Sequence, residues 1–206
     1  MVLGIDLGTT YSVGAYIDRN GDPRVIENAE GSHLTPSVVM LEDGENAVVG
    51  ENARDSSILR PEDVISVIKN EMGKRVVVKE SGGQSYTPEM ISSLILRKVA
   101  ADAEKAAGEP VDSVVITVPA YFRDSQRKAT EDAATLAGLR LSGMINEPTA
   151  AALCYAARNR IEGENLLVYD LGGGTFDVTI LRAEGPDDLT VLSTDGLSRA
   201  GGRFFD

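Results

Sequence analysis

The sequence is poor in cysteine, histidine and long apolar runs, and each shortage excludes a class of protein. Cys154 is the only cysteine, so an internal disulfide is excluded and a reducing compartment is indicated. His33 is the only histidine, which leaves no basis for a histidine-based metal site or catalytic triad. We expect His33 to be exposed in a polar loop and Cys154 to be buried in an apolar helix.

Membrane and export signals are also missing from the sequence. No apolar stretch approaches the roughly 20 residues that a membrane-spanning helix needs. The chain begins without a basic segment followed by a long apolar one, so we expect no signal peptide. These absences predict a soluble, cytoplasmic protein with no membrane partner.

The composition is that of a folded, acidic protein. Of the 206 residues, 42% are hydrophobic and 25% are charged, which excludes a disordered tail and allows one domain or two small ones. The 32 acidic residues outnumber the 20 basic ones, and the net charge is −12. Because nucleic-acid phosphates repel a surface of this sign, nucleic-acid binding is not expected.

Apolar runs typical of strands alternate with helical periodicity, which predicts an α/β fold. Strands are predicted at residues 2–5, 12–17, 24–26, 38–41, 47–49, 114–118, 142–145, 166–169, 176–181 and 189–193. The turn at residues 42–45 indicates a hairpin between two of them. Helices are predicted from Pro61 through Met72, from Pro88 to Gly108, and at residues 125–137 and 149–158.

The pattern of strand, Asp-Leu-Gly, small-residue turn and strand occurs twice. It places Asp6 and Asp170 at matching strand ends. The turns that follow offer amide and hydroxyl donors suited to phosphate oxygens, and the adjacent carboxylates suit a hydrated Mg²⁺. No Walker loop and no GxGxxG before a helix is present, so P-loop kinases and dinucleotide reductases lose their main support.

Four motifs carry a family resemblance. They are IDLGTTYS at residues 5–12, VPAYF at 118–122, INEPTAAA at 145–152 and DLGGGTFD at 170–177. In this order and with nearly this spacing, they resemble the hallmark motifs of the heat-shock protein 70 chaperone family. The resemblance runs over essentially all 206 residues. It covers a little over half of that family's ATPase domain and none of its peptide-binding domain.

The resemblance implies an α/β fold of the actin-like ATPase type, with two lobes on ribonuclease-H-like cores and nucleotide in the cleft between them. By that analogy, residues 1–36 and 112–160 form the core of the first lobe, and 37–111 form a smaller inserted subdomain. Residues 164–206 begin an incomplete second lobe, before the segments that clamp adenosine. We therefore expect weak ATP binding by this chain, and tail strands that are disordered or pair with another copy.

The resemblance also implies site residues, position by position. Those that resemble nucleotide-binding residues are Gly8, Thr9, Thr10, Tyr11, Gly172, Gly173, Gly174, Thr175, Gly201 and Gly202. Those that resemble ligands of Mg²⁺ through its waters are Asp6, Glu147 and Asp170, while Asp170 and Asp177 resemble ligands of a K⁺ that some members bind. The implied catalytic set is Lys69, Glu147, Asp170 and Thr175, and Pro119 with Arg127 resembles the allosteric relay pair.

Two of these roles also make chemical sense. Phosphoryl transfer needs positioning and charge neutralisation, so a metal and a lysine beside the γ-phosphate are the expected parts. By the resemblance, Lys69 matches the lysine that positions the attacking water, because its distance to Gly73 agrees. Either Asp170 or Glu147 could accept a proton from that water.

The implied function is that of an ATP-hydrolysing chaperone that acts in protein folding and the stress response. Its implied ligands and partners are ATP or ADP, Mg²⁺, unfolded peptides, a J-domain co-chaperone and a nucleotide-exchange factor. A cytoskeletal actin-like filament protein shares the two hairpins, but the motifs at 118–122 and 145–152 favour the chaperone branch. A sugar or acetate kinase would need a small-molecule site for which no constellation is present.

Two departures from the family pattern limit this transfer. The segment between Gly73 and Tyr86 is short, which puts exchange-factor contacts in doubt. Arg203 and Phe204 stand where acidic residues are usual in the motif at 201–206. A regulatory relative that binds nucleotide without hydrolysing it therefore stays open as an alternative.

Overall fold

A computed structural model describes residues 1–42, 46–185, 188–197 and 200–204, and of Arg203 only the backbone. Asp43, Gly44 and Glu45 of the predicted hairpin turn lie outside the described residues, as do Phe205 and Asp206 of the motif at 201–206. The chain divides into two units. The first is Met1–Ile116 with Arg123–Gly143, and the second is Thr117–Phe122 with Met144–Asp206.

Strands and helices alternate from residue 88 to residue 171, while strands predominate on either side of this stretch. The strands are β1 (Val2–Leu7), β2 (Tyr11–Ile17), β3 (Pro23–Val25), β4 (Thr35–Pro36), β5 (Val38–Glu42), β6 (Asn46–Val49), β7 (Val64–Ser66), β8 (Lys79–Ser81), β9 (Gln84–Tyr86), β10 (Ser113–Val118), β11 (Leu141–Asn146), β12 (Asn165–Leu171), β13 (Phe176–Gly185) and β14 (Asp188–Leu197). The helices are α1 (Glu51–Ser56), α2 (Pro88–Ala107), α3 (Asp124–Leu136) and α4 (Glu147–Asn159).

The main sheet has the strand order β11-β10-β1-β2-β3, with β4 also paired to β2. The strands β1 and β2 form an antiparallel hairpin in which Leu7 lies opposite Ser12. Along β1, Leu3, Ile5 and Leu7 are buried and the alternate positions are exposed, as a half-buried strand requires. This alternation sends Asp6 to the face opposite the core.

The helix α2 supplies much of the apolar core of the first unit. It begins at an N-cap, Thr87, whose hydroxyl accepts a hydrogen bond from the backbone N–H of Met90 at 3.4 Å, and Pro88 occupies its first turn. It ends at Gly108, whose φ of 70° is the left-handed conformation usual after a helix. The side chains buried along it at helical spacing are Ile91, Ile95, Leu96, Val99 and Ala103.

The predicted helix from Pro61 through Met72 is wrong. The segment instead holds a 3₁₀ turn at Pro61–Asp63, the strand β7 and a second 3₁₀ turn at Ile68–Glu71. In β7 the β-branched pair Val64 and Ile65 extends the sheet, because the strand pairs antiparallel with β5. Val67 then takes a left-handed φ of 54°, which no helix can continue through.

The second unit contains the antiparallel sheet β12-β13-β14. On β13, the buried residues Asp177, Thr179, Leu181 and Ala183 alternate with more exposed ones. The apolar strands of the tail, predicted to be disordered or to pair with another copy, thus pair with each other. Among the described residues the outer edge of β12 has no partner strand, and self-association through it stays a prediction.

The predicted exposure is wrong for the single cysteine and confirmed for the single histidine. Cys154 is exposed on α4, whose buried face carries Ala152 and Ala156, so its predicted burial is wrong. An alanine-rich helix offers little contrast between faces, and the periodicity there does not single out the buried one. His33 is exposed, as predicted, and its Nδ1 lies 3.1 Å from the carbonyl oxygen of Ile26. Across the described ranges, no helix has the length and apolarity to cross a membrane.

Candidate functional site

The first candidate phosphate-binding turn joins β1 to β2 and is built on Gly8. A Cβ at Gly8 would overlap the carbonyl oxygen of Tyr11, so the turn closes only around a glycine. Ser37, which lies between β4 and β5, stabilises this turn, since its hydroxyl donates to the carbonyl oxygen of Gly8 at 2.8 Å and its N–H donates to that of Thr10 at 2.8 Å. Thr9 is buried, whereas Thr10 and Tyr11 are exposed. The hydroxyl of Thr10 is therefore open to a ligand.

Lys69 lies in the same unit but not on a solvated helix. Lys69 is only 6% exposed and lies in the 3₁₀ turn Ile68–Glu71. The strained Val67 precedes this turn, and Gly73 follows it with a φ of 77°. A Cβ on Gly73 would lie 3.0 Å from the backbone nitrogen of Gln126 in the first turn of α3, so the chain passes very close to that helix. The lysine segment is thus fixed at both ends.

The second candidate turn joins β12 to β13 and is made of three glycines and Thr175. The N–H of Gly172 donates to the carbonyl oxygen of Thr175 at 2.9 Å and closes it. Gly201 packs directly on this turn, because a Cβ there would overlap the backbone of Gly173 and Gly174. The N–H of Gly202 donates to the carbonyl oxygen of Gly172 at 2.9 Å. Gly201 and Gly202 therefore belong to the same structure as the glycine turn.

Two carboxylates flank the second turn. Asp170 on β12 and Asp177 on β13 are direct partners in the strand register, so their side chains share one face of the sheet. Asp177 is 1% exposed, and its Oδ1 accepts no hydrogen bond from the described residues, although the side chain takes part in other interactions. Like charges opposite each other are destabilising unless a cation neutralises them. This pair therefore fits a bound cation.

Magnesium in particular fits carboxylates that are not gathered into a cage. Among the residues that the structure describes, no group of three or more acidic, histidine or cysteine side chains is placed to hold a metal by itself. Mg²⁺ usually keeps several waters and binds through one or two carboxylates plus phosphates. Asp170 and Glu147, which stands at the first position of α4, are carboxylates of the kind that such a site uses.

Tyr121 is a member of this site that the sequence reasoning missed. Its ring meets the ring of Phe122 edge-on at 5.9 Å between centroids. Burial raises the pKa of Tyr121, the neighbouring Thr175 hydroxyl opposes this shift, and the negative charges of Asp177 and Glu147 add to it. The phenol is therefore protonated at neutral pH and lies close to both carboxylates.

Gly196 on β14 is a second missed residue. A Cβ there would lie 2.6 Å from Oδ1 of Asp177, 2.9 Å from the carbonyl oxygen of Phe176 and 3.1 Å from the ring of Tyr121. Only a residue without a side chain allows the carboxylate and the ring to approach so closely. Of these two missed residues, only Tyr121 could have been found from the sequence, by its place inside the VPAYF motif just after the end of β10.

The predicted site residues thus fall into two groups. The first unit holds Asp6, Gly8, Thr9, Thr10, Tyr11, Lys69 and Arg127, and the second holds Pro119, Glu147, Asp170, Gly172, Gly173, Gly174, Thr175, Asp177, Gly201 and Gly202. In the second unit the structure brings the glycine turn together with Gly201, Thr175 and the carboxylates. Arg127 lies in the first turn of α3, and the carbonyl oxygen of Pro119 accepts a hydrogen bond from the N–H of Phe122 at 3.1 Å.

The chain is an α/β protein with two glycine turns, each following a strand that carries an aspartate, and such turns offer backbone donors of the kind that phosphate sites use. The sequence model of the family described as Hsp70 protein matches residues 2–206, and the chain belongs to this family. Its fold class is accordingly the actin-like ATPase fold. Members of this family are in general nucleotide-dependent ATPases.

Proposed function

We propose that this chain is the phosphate-binding part of an Hsp70-type nucleotide-binding domain, which in the intact protein hydrolyses ATP to drive the folding of client peptides. The observation that carries the proposal is the packing of Gly201 on the turn of Gly173 and Gly174, beside the half-buried Asp170 and its buried partner Asp177. Because Gly173, Gly174 and Gly201 have no side chains, nothing on these three residues screens the amides of the turn from a phosphate. The family match supports the same function.

Each group of residues has a distinct task in this proposal. The amides of the two turns and the hydroxyls of Thr10 and Thr175 bind phosphate oxygens. Asp6, Glu147 and Asp170 would hold Mg²⁺ through its waters, and Asp170 with Asp177 would hold K⁺. When bound, Mg²⁺ neutralises charge on the phosphates during transfer. Lys69 orients the attacking water, whose proton goes to Asp170 or Glu147.

Binding is tested by titrating Mg-ATP into the isotopically labelled 206-residue chain and following amide shifts by NMR. We expect millimolar or weaker binding, with shifts confined to the residues of the two turns. Thr175→Val removes the hydroxyl at the turn and should weaken binding about three- to tenfold, by about 0.7 to 1.4 kcal/mol. Thr179→Val is the matched control, since that hydroxyl is bonded to Thr194 at 2.8 Å further along β13. Shifts outside both turns, or no shifts even at nucleotide concentrations well above millimolar, would contradict the proposal.

Hydrolysis is tested with Lys69→Met in the intact protein. We expect the rate of hydrolysis to fall by about 10²- to 10³-fold while nucleotide affinity changes little, because the ammonium acts on the attacking water and on transition-state charge. Lys74→Met is the control: this lysine follows on the same loop, but it is exposed and paired with Glu71 at 2.8 Å. A protein that binds Mg-ATP without turnover would instead be a regulatory relative.

The partners and the location of the intact protein follow from the same proposal. We propose unfolded peptides, a J-domain co-chaperone and a nucleotide-exchange factor as its partners, and the cytoplasm as its location. Because the segment between Gly73 and Tyr86 is short, exchange-factor contacts in that region are the part of this proposal that needs testing first.

A further inference from the structure

Two buried serine hydroxyls lie next to the first glycine turn. Ser12 on β2 is 0% exposed, and Ser37, between β4 and β5, is 2% exposed. Their hydroxyl oxygens are 2.9 Å apart, although the two residues are 25 positions apart in sequence. The motif at residues 5–12 ends with Ser12, whereas Ser37 belongs to none of the four motifs. Buried this deeply, both hydroxyls need hydrogen-bond partners within the protein.

A serine hydroxyl has a single hydrogen to donate, and this sets the direction of the bonds. The hydroxyl of Ser37 donates that hydrogen to the carbonyl oxygen of Gly8 at 2.8 Å, since a carbonyl only accepts. The hydrogen between the two serines therefore comes from Ser12. The result is a chain in which Ser12 donates to Ser37 and Ser37 donates to Gly8. Hydrogen bonds connected in this way strengthen each other.

A fixed carbonyl also fixes the N–H on the other side of the same peptide. Because a peptide unit is planar and trans, the N–H of Thr9 points away from the carbonyl of Gly8, and hence away from Ser37. The backbone N–H of Ser37 also donates to the carbonyl oxygen of Thr10 at 2.8 Å. Ser37 thus holds two carbonyl oxygens of one turn. An N–H that is already aimed before a ligand arrives loses less freedom on binding.

The segment that precedes Ser37 is itself held in place. The side chain of Asn28 accepts a hydrogen bond from the N–H of Ser32 at 2.8 Å and donates to the hydroxyl of Thr35 at 3.1 Å. Thr35 and Pro36 then form β4, which pairs antiparallel with β2. Ser37 therefore follows a fixed segment, from which its hydroxyl and its N–H can hold the turn.

We propose that Ser37 is a positioning residue of the first turn, which holds the carbonyl of Gly8 so that the N–H of Thr9 faces a bound phosphate. Ser12 supports it by orienting the hydroxyl of Ser37. This inference rests on the proposed function, in which the turn binds phosphate. It adds two residues that act through the backbone of the turn and touch no reacting atom. The ligand class is a magnesium-bound polyphosphate chain.

The hold on the turn can be measured without any ligand. The carbonyl carbon shift of Gly8 and the amide shift of Thr9 report this hydrogen bond by NMR in the labelled 206-residue chain. We expect Ser37→Ala to move both shifts, and Ser12→Ala to move them less and in the same direction. Ser93→Ala is the matched control, because Ser93 is also buried and donates to a backbone carbonyl at 2.7 Å. Unchanged shifts in Ser37→Ala overturn the proposal.

Binding of magnesium tripolyphosphate separates positioning from a purely structural role. We expect Ser37→Ala to weaken binding about three- to tenfold, whereas Ser93→Ala loses a comparable buried hydrogen bond and should bind like the wild type. Ser12→Ala should weaken binding less, and should add nothing in a Ser37→Ala background, because Ser12 acts only through Ser37. Equal affinities of Ser37→Ala and Ser93→Ala overturn the proposal. Additive effects of the two changes at 12 and 37 overturn the role of Ser12.

Failure of this proposal differs from failure of the proposed function. Absence of binding by the wild type contradicts the proposed function, while the shifts of Gly8 and Thr9 still decide whether Ser37 holds the turn. Ser12→Ala keeps both bonds from Ser37 to the turn, so it remains measurable if Ser37→Ala fails to fold. Shifts and affinity that both stay at their wild-type values in Ser12→Ala then overturn the proposal.

Discussion

Gly8→Ala is expected to destabilise the first unit by about 3 kcal/mol or more, at or above the upper end of the usual cost of overpacking. The added methyl group would overlap the carbonyl oxygen of Tyr11, which belongs to the backbone of β2 and is fixed by the hairpin register. Neither atom can move unless the hairpin opens, and Ser37 would then lose its bond to the carbonyl oxygen of Gly8. The cost arises in the backbone, so repacking of side chains cannot relieve it.

Thermal and urea unfolding measure this effect, with Gly4→Ala as the matched control on the same strand. A Cβ on Gly4 would lie 3.5 Å from the carbonyl oxygen of Ala15, an ordinary contact. We expect Gly4→Ala to change stability by less than about 1 kcal/mol, and Gly8→Ala to lower Tm by roughly 6–12 °C. Equal Tm values for the two variants would contradict the crowding described for the first turn.

Gly201→Ala is expected to separate the segment at 201 from the glycine turn that it packs against. The methyl group would overlap the backbone of Gly173 and Gly174, again with no side chain that could give way. At the neighbouring Gly202, the nearest atom to a Cβ is the carbonyl oxygen of Gly172, at 4.0 Å. Two adjacent glycines therefore differ sharply in what an added methyl group would meet.

Amide hydrogen exchange at residue 202 reads out this separation, because its N–H donates to Gly172. We expect Gly201→Ala to accelerate that exchange by at least about tenfold, equivalent to about 1.4 kcal/mol, and to weaken binding of magnesium tripolyphosphate. Gly202→Ala should leave the exchange rate near its wild-type value. If the exchange rate is the same in both variants, Gly201 is not the residue that fixes this segment on the turn.

The sequence predicts best where a local pattern determines the structure. The two hairpins follow from strand, Asp-Leu-Gly, turn and strand, and the helix α2 follows from its N-cap, its periodicity and Gly108. In the second hairpin the antiparallel register also sets Asp170 opposite Asp177, because the two residues are equally far from the turn. Such features depend on neighbours in sequence, and the residue types alone carry them.

The failures occur where contacts distant in sequence decide the structure. Helical spacing from Pro61 through Met72 is overridden because the edge of β5 offers Val64 and Ile65 a partner strand. Tyr121 and Gly196 meet near Thr175 only after three strands are in place. In the sequence only the place of Tyr121 inside the VPAYF motif points to it, because neither residue is of a type that signals phosphate chemistry.

Val67 holds a strained backbone conformation directly before the turn that carries Lys69. A β-branched residue in the left-handed region costs about 1–2 kcal/mol, and the next turn carries the buried Lys69. Asparagine accepts that conformation more readily, so selection for higher stability would favour asparagine at this position. The natural chain retains the strained residue directly before the turn that carries Lys69. Residue 67 is thus a place where one backbone angle bears both on the stability of the first unit and on the position of the buried lysine.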